Sequence, residues 1–308
     1  MAVEDLFLKF LSMYWLRPEN AVISAILANQ LAKLSCDGVA LDMSCGDGLF
    51  MHTMLGGEIS FDFDIFKSTD NLEKVRSKNA DIYDFVDAQY CPNVIARPKR
   101  KIEYALDIKT SMLQKAKALN FYNALIQCDV CRGVGLENNT IDTIYINHTV
   151  NAYENLDKAL AEIRRIMSDG GRAYISVYDI SIINFLSDVY TNYPTDLAKV
   201  IDRGLLATFF RQRYQYTDWI KVFENAGFCI ERVYPLVSKE FIPYWCIGMR
   251  PIAPLLINLV NTLRIRDNEN LVKIKREWLD LFSTLASPFL CSKQSPEESS
   301  CYLLELSK

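Results

Sequence analysis

The chain has 308 residues, half of them apolar and 23% charged, so it can bury a sizeable core and is not a disordered tract. A net charge of −4 gives no basic face for a nucleic acid, and nine cysteines without regular spacing suit a reducing cytoplasm better than a secreted disulfide framework. Residues 1–38 open with "MAVEDLFLKFLSMYWLRPEN", apolar but with Glu4 and Asp5 where a secretory leader carries Lys or Arg, and are expected to pack as N-terminal helices. The longest apolar run, "PIAPLLINLVNTL" at 251–263, falls short of the ~20 residues that a membrane span needs.

From residue 38 onward, strand-like and helix-like segments alternate. Strands are expected at 39–42, 103–107, 123–128, 141–147, 172–178, 228–234 and 301–306, and helices at 47–55, 109–119, 154–167 and 217–226. In "ENLDKALAEIRRIM" (154–167), Leu156, Leu160, Ile163 and Met167 share one face, and "SDGG" ends the helix. Such alternation predicts an α/β domain whose mostly parallel sheet carries helices on both faces. Both "ISFDFDI" (59–65) and "EYALDI" (103–108) compete for the second strand; only the latter runs into a good helix, "KTSMLQKAKAL". Residues 57–102 are therefore expected to be an insertion in a core spanning 39–234. Residues 235–298 then form a cap before a last strand within 299–308.

One stretch carries the chemistry. "VALDMSCGDGLF" (39–50) reads as a short buried strand, a glycine-containing turn and a helix start, a generic site for a polar ligand at a helix N-terminus. Asp107 ends the second strand and Asp129 the third, 22 residues on. Read alone, this pattern is also compatible with a dinucleotide, but that fingerprint needs G-x-G-x-x-G, and Gly46-Asp47-Gly48-Leu49-Phe50-Met51 lacks the third glycine.

"LDMSCGDGLF" resembles the first motif, D-x-G-x-G-x-G, of the class I S-adenosylmethionine-dependent methyltransferases, with Ser44 in place of the first glycine. "YALDIKTSMLQKAK" and "LIQCDV" are similar to that family's second and third strand regions. The stretches "NNTIDTIYINHTVNAYENLDKALAEIRRIMSDGGRAYISVYD" and "YTDWIKVFENAGFCIERV" resemble its later elements. The resemblance covers about half the chain and implies a Rossmann-like, seven-stranded sheet and S-adenosylmethionine as cofactor. It implies cofactor contacts from Asp42, Ser44, Cys45, Gly46 and Gly48 at the methionine end. Asp107 would then bind the ribose hydroxyls and Asp129 face the adenine amine, with Ile108, Val130 and Asn147 as further cofactor contacts.

His148 sits at the ligand edge of the fourth strand, where it either serves as a general base for an acceptor hydroxyl or orients the "NHTVNAYEN" loop. Tyr153, Glu154, Tyr178 and Asp179 follow strands on the same edge; each is a substrate contact or part of a core lid. Segments 179–215 and 235–298 leave carboxyl ends of strands and overhang the cofactor, so Tyr214, Tyr244 and Trp245 join Tyr153 and Tyr178 as candidate substrate residues. His52 is expected to pack or lie at the surface. Cys128 and Cys131 form a lone C-x-x-C without the second pair that a zinc site needs, so no metal is expected.

The chain has neither an Asn/Asp-Pro-Pro-aromatic nor a Pro-Cys motif of the nucleic-acid methyltransferases; "INHTV" stands at the first position. The expected activity is methylation of a small-molecule acceptor, with oxygen as acceptor atom, on a hydrophobic or lipid- or glycan-linked metabolite. Two readings stay beside it, a non-catalytic binding or scaffold protein of the same fold and a nucleotide-dependent oxidoreductase. Segment 241–266, aromatic, apolar and fringed by arginines, is either a packed cap helix or a contact with a lipid surface.

Overall fold

A computed structural model describes residues 2–66, 90–291 and 294–308. Its main sheet has seven strands: β1 (Ala40–Met43), β4 (Ile102–Asp107), β5 (Tyr122–Gln127), β6 (Ile141–Ile146), β7 (Met167–Tyr178), β8 (Cys229–Ser238) and β9 (Ser299–Ser307). Their spatial order is β5-β4-β1-β6-β7-β9-β8. β5, β4, β1, β6 and β7 run parallel, and β9 is antiparallel to both β7 and β8. This is the mostly parallel, doubly covered sheet expected from the sequence. The apolar run at β1 is buried at all four positions, as a strand covered on both faces should be.

One sheet face carries α1 (Val3–Met13), α2 (Pro18–Leu31), α3 (Leu49–Met54) and α4 (Thr110–Ala118); the other carries α5 (Leu156–Ile166) and α9 (Tyr216–Asn225). α1 is amphipathic and buries Leu6, Phe7, Phe10 and Leu11; Pro18, at the first position of α2, restarts the helix after a break. Between β7 and α9 lie α6 (Ser181–Asn192), α7 (Thr195–Asp202) and α8 (Leu205–Thr208). Between β8 and β9 lie α10 (Ile242–Ile247), α11 (Ala253–Arg266) and α12 (Asn268–Leu290).

Two strand boundaries differ most from the sequence reading. β7 starts at Met167 rather than 172, because Met167 already pairs with Ile141 before the register shifts across Gly170 and Gly171. A Cβ on Gly171 would meet the Ser168 and Asp142 carbonyl oxygens at 3.0 and 3.1 Å, so the bulge needs glycine. β8 continues to Ser238, passing Pro235 at the sheet edge, where a missing N–H is tolerated.

The competition for the second strand resolves at β4. Ile59 instead pairs in a separate two-stranded ribbon, β2 (Glu58–Ile59) with β3 (Val94–Ala96). Much of the expected insertion, residues 67–89, lies outside the described residues. Its first part is fastened to the N-terminal and cap helices through buried polar groups. Asp64, 2% exposed, accepts from Trp15 Nε1 at 2.9 Å and Arg264 Nη2 at 2.7 Å, while Lys275 Nζ donates to the Phe61 and Phe63 carbonyls.

Register brings the site together. Met43 is level with Leu106 on one side and Ile146 on the other, and Asp107 with Gln127. The residues just beyond these positions therefore line one edge of the sheet. The chain reverses its direction of winding between β1 and β6, the switch point where open α/β sheets hold ligands.

Candidate active site

The turn after β1 explains its glycines. Ser44, Gly46 and Gly48 all have left-handed backbones, with φ of 62°, 56° and 77°. A Cβ on Gly48 would stand 2.8 Å from the Tyr122 ring, whereas one on Gly46 would meet nothing within 4 Å. Gly48 is thus required by packing beneath the turn, and Gly46 faces open space above it. Asp47 accepts from the Leu49 amide at the start of α3.

The turn is held from both flanks. The Cys45 amide donates to the Leu106 carbonyl at 2.9 Å, and the Gly46 amide donates to Asp107 Oδ2 at 3.0 Å. The other Asp107 oxygen accepts from Lys109 N. Asp42 lies beneath the turn, 1% exposed, and accepts from the Tyr122 hydroxyl at 2.5 Å. Burial, followed by the neighbouring carboxylates of Asp107 and Asp47, outweighs that hydrogen bond and raises the Asp42 pKa to about 7. Burial holds the Cys45 thiol protonated, with its Sγ towards the Gly46 carbonyl.

At the next strand ends, Ile108 is 60% exposed, a bare apolar side chain at the ligand edge. Asp129 accepts from the Cys131 amide and pairs with Arg132 at 3.3 Å; Val130 beside it is buried. Asn147 Nδ2 lies 3.9 Å from Met51 Sδ, and its Oδ1 is buried with no hydrogen-bond partner among the described residues. Carboxylates at two adjacent strand ends, an exposed apolar side chain between them and open space before Gly46 fit an adenosyl amino acid: a diol, a flat base and a methionine end. A third glycine, needed for a close pyrophosphate, is absent.

A model of the family described as "Methyltransferase domain" matches residues 90–175, which hold the strand ends at 107–108, 129–130 and 147–148. The Asp42–Gly48 turn lies outside that match, separated from it by α3, β2 and residues 67–89. Residues 90–175 thus carry a methyltransferase domain.

No curated protein matches the chain in sequence. Among solved structures, it is similar to a possible histamine N-methyltransferase from Thermotoga maritima, at 13% identity over 70% of this chain and 74% of that one, with a TM-score of 0.42. A putative methyltransferase from Bacillus halodurans is similar at 15% identity over 91% and 96%, with a TM-score of 0.45. Geranyl diphosphate C-methyltransferase from Streptomyces coelicolor is similar at 9% identity over 94% and 83%, with a TM-score of 0.41. Likenesses this distant say nothing about the acceptor.

Beyond this turn, the sequence candidates for substrate contact divide. The His148 ring stacks on Tyr178 at 4.7 Å, Tyr178 stacks on Trp245 at 5.5 Å, and Phe209 and Phe210 meet Tyr178 edge-on at 5.9 Å. Three of the candidates therefore form one aromatic wall. Tyr153 instead reaches the turn after β1, its hydroxyl 3.1 Å from Ser44 Oγ. Tyr214 packs edge-on against Trp219 in the opposite core layer, and Tyr244, 59% exposed, lies against Phe289. Glu154 pairs with Arg211, and Asp179 accepts from the Ser181 and Tyr216 amides at a chain corner.

His148 has an unusual setting. Its φ is 58°, its amide donates to Ser176 Oγ at 2.8 Å, and its Nδ1 lies 3.7 Å from Cys301 Sγ. Nε2 is buried and has no hydrogen-bond partner among the described residues. Burial lowers the ring pKa to about 3, so it is neutral at physiological pH.

Sequence reasoning passed over Tyr122, which supports Asp42, and Asn151, fully buried, whose side chain clamps the Tyr178 N–H and carbonyl and the Gln212 carbonyl. A polar residue inside "HTVNAYEN" was the available signal for Asn151; nothing local marks Tyr122. His52 is fully buried against Phe121. Among the described residues, no cluster of three His, Cys, Asp or Glu is placed to hold a metal, and no helix is long and apolar enough to cross a membrane.

Proposed function

We propose that the enzyme methylates a hydroxyl oxygen of a small hydrophobic acceptor held against the Tyr178–Trp245 wall, with His148 as proton acceptor. One observation carries this reading: His148 Nε2 is buried, unpartnered and part of that wall. An orphaned buried ring nitrogen is unfavourable unless a ligand satisfies it.

Asp42, Ser44, Cys45, Gly46 and Gly48 would cradle the methionine end of the cofactor, Asp107 the ribose hydroxyls, Ile108 and Val130 the adenine faces, and Asp129 its amine, with Asn147 beside the turn. When bound, S-adenosylmethionine supplies a methyl group on a positively charged sulfonium, a charge lost on transfer. His148 takes the acceptor's proton at Nε2, so an imidazolium charge appears as the sulfonium charge disappears. The burial that lowers its pKa therefore need not oppose the step. The aromatic wall excludes water and holds the acceptor oxygen in line.

The test is a screen of hydroxylated hydrophobic compounds with S-adenosylmethionine, followed by His148→Asn on any acceptor found. Asn tolerates a left-handed backbone, so the fold should persist. Turnover should fall about 100-fold or more while S-adenosylhomocysteine affinity is kept. Methylation at carbon or nitrogen, or an undiminished rate in the variant, refutes the reading.

A lipid-borne acceptor is favoured by α11. Ile252, Leu255, Leu259 and Leu263 point outward although the helix also buries Ala253, Ile257 and Val260. Between Glu240 and Asp267 there is no acidic residue. A row of apolar side chains left outward is normally covered, here by the acyl region of a bilayer surface. The methyltransferase should float with liposomes, and Leu255→Glu with Leu259→Glu should abolish flotation; sedimentation of the wild type away from lipid overturns this.

A further inference from the structure

Among non-glycine residues, two with left-handed backbones stand at the ends of the neighbouring central strands β1 and β6: Ser44, with φ of 62°, and His148, with φ of 58°. That region is unfavourable for any residue with a Cβ and persists only where the surroundings hold it. For His148 the holding contacts are the Ser176 hydroxyl and the Tyr178 ring. For Ser44, a glycine would adopt the same backbone without strain. What serine adds is a hydroxyl, and that hydroxyl meets the Tyr153 hydroxyl.

We propose that Tyr153 is a positioning residue: through its hydrogen bond to Ser44 Oγ it fixes the strained turn at 44–48 and couples that turn to the acceptor-side loop. The proposal rests on the reading of this turn as the seat of the cofactor's methionine end. Tyr153 is itself immobile enough to serve. It is 9% exposed, its carbonyl accepts from Gln212 Nε2 at 2.8 Å, and the adjacent Asn151 is clamped to the end of β7. Asp107 and Leu106 hold the turn from the β4 side, and Tyr153 supplies the hold from the β6 side. Without it, rotation about Ser44 swings the Gly46 amide away from Asp107. Burial keeps the Tyr153 phenol protonated far above neutral pH, so the bond persists throughout the working range.

Two measurements on the full chain test this. Hydrogen exchange of the Cys45 and Gly46 amides, without ligand, should quicken about fivefold in Tyr153→Phe, the effect of one neutral hydrogen bond. Calorimetry with S-adenosylhomocysteine should show Tyr153→Phe weakening binding by a similar factor. Ser44→Gly should weaken it no more than that, and Tyr153→Phe should add nothing in the Ser44→Gly background. A purely structural loss would lower Tm equally in both backgrounds without following the identity of residue 44. The latch is refuted if exchange is unchanged, if the two substitutions act independently, or if Ser44→Gly is the more damaging. Failure of the wild type to bind S-adenosylhomocysteine would strike the cofactor reading instead, while the exchange result still decides the latch.

Discussion

Asp107 Oδ2 accepts the Gly46 amide at 3.0 Å, so the carboxylate that closes β4 also sets the turn that closes β1. The same group is proposed to take the ribose hydroxyls. Asp107→Ala should therefore remove ligand contacts and a brace together, weakening S-adenosylhomocysteine binding about 100-fold, since hydrogen bonds to a charged acceptor contribute ~1.5–3 kcal/mol each. Asp107→Asn keeps one acceptor oxygen and should lose distinctly less. Titration calorimetry checks both; equal losses would mean that the charge alone matters.

The two glycines of the turn should fail differently. Ala at 46 meets open space and pays only for its left-handed backbone, about 1–2 kcal/mol, yet its methyl group enters the proposed ligand volume. Gly46→Ala should fold, with a modest loss of Tm, and bind no S-adenosylhomocysteine. Ala at 48 drives a methyl into the Tyr122 ring at 2.8 Å and disturbs its bond to Asp42. Gly48→Ala should lose more than 2 kcal/mol of stability, measured by urea unfolding. The reverse ranking of stabilities would refute this division of labour.

The sheet was legible because each buried strand is a short apolar run punctuated by a turn or a good helix. The glycines at 46 and 48 and the acids at 107 and 129 were legible for the same reason: each ends a strand. Boundaries failed where tertiary pairing decided them, as at Met167, which the helical pattern claims and Ile141 takes into the sheet. The aromatic wall was legible only as a list, since no local rule says that Tyr178 stacks between His148 and Trp245 while Tyr214 turns to Trp219. Tyr122 went unseen because its partner, Asp42, is 80 residues away.

Asp42 should make cofactor binding pH-dependent. Its pKa of about 7 means that half of the free protein carries a neutral carboxyl at that pH, whereas the ammonium of the methionine end favours the ionised form. Binding then releases a proton, and affinity falls as pH drops below 7, by at most tenfold per unit. Asp42→Asn should bind more weakly at pH 8 and show no such slope between pH 6 and 8. An identical slope in the variant would place the titrating group elsewhere.

His52 predicts the acid limb of the stability curve. Its ring is fully buried against Phe121 and Gly57, and neither nitrogen has a hydrogen-bond partner among the described residues. Burial, helped by the Lys9 charge, lowers its pKa to about 4, against 6.5 in an exposed histidine. The unfolded chain therefore binds a proton that the folded one refuses between those values, and stability must fall as pH drops from about 6.5 to 4. The full effect of this one ring is of the order of 3 kcal/mol. Leucine in its place leaves no imidazole to titrate and no orphaned nitrogen, so His52→Leu should be at least as stable as the wild type at pH 7.5. Its unfolding free energy should decline less steeply on acidification, by the share of one proton. Urea titrations at half-unit steps from pH 4 to 8 decide the matter: parallel curves for the two proteins would show that the buried ring is not what the acid limb reports.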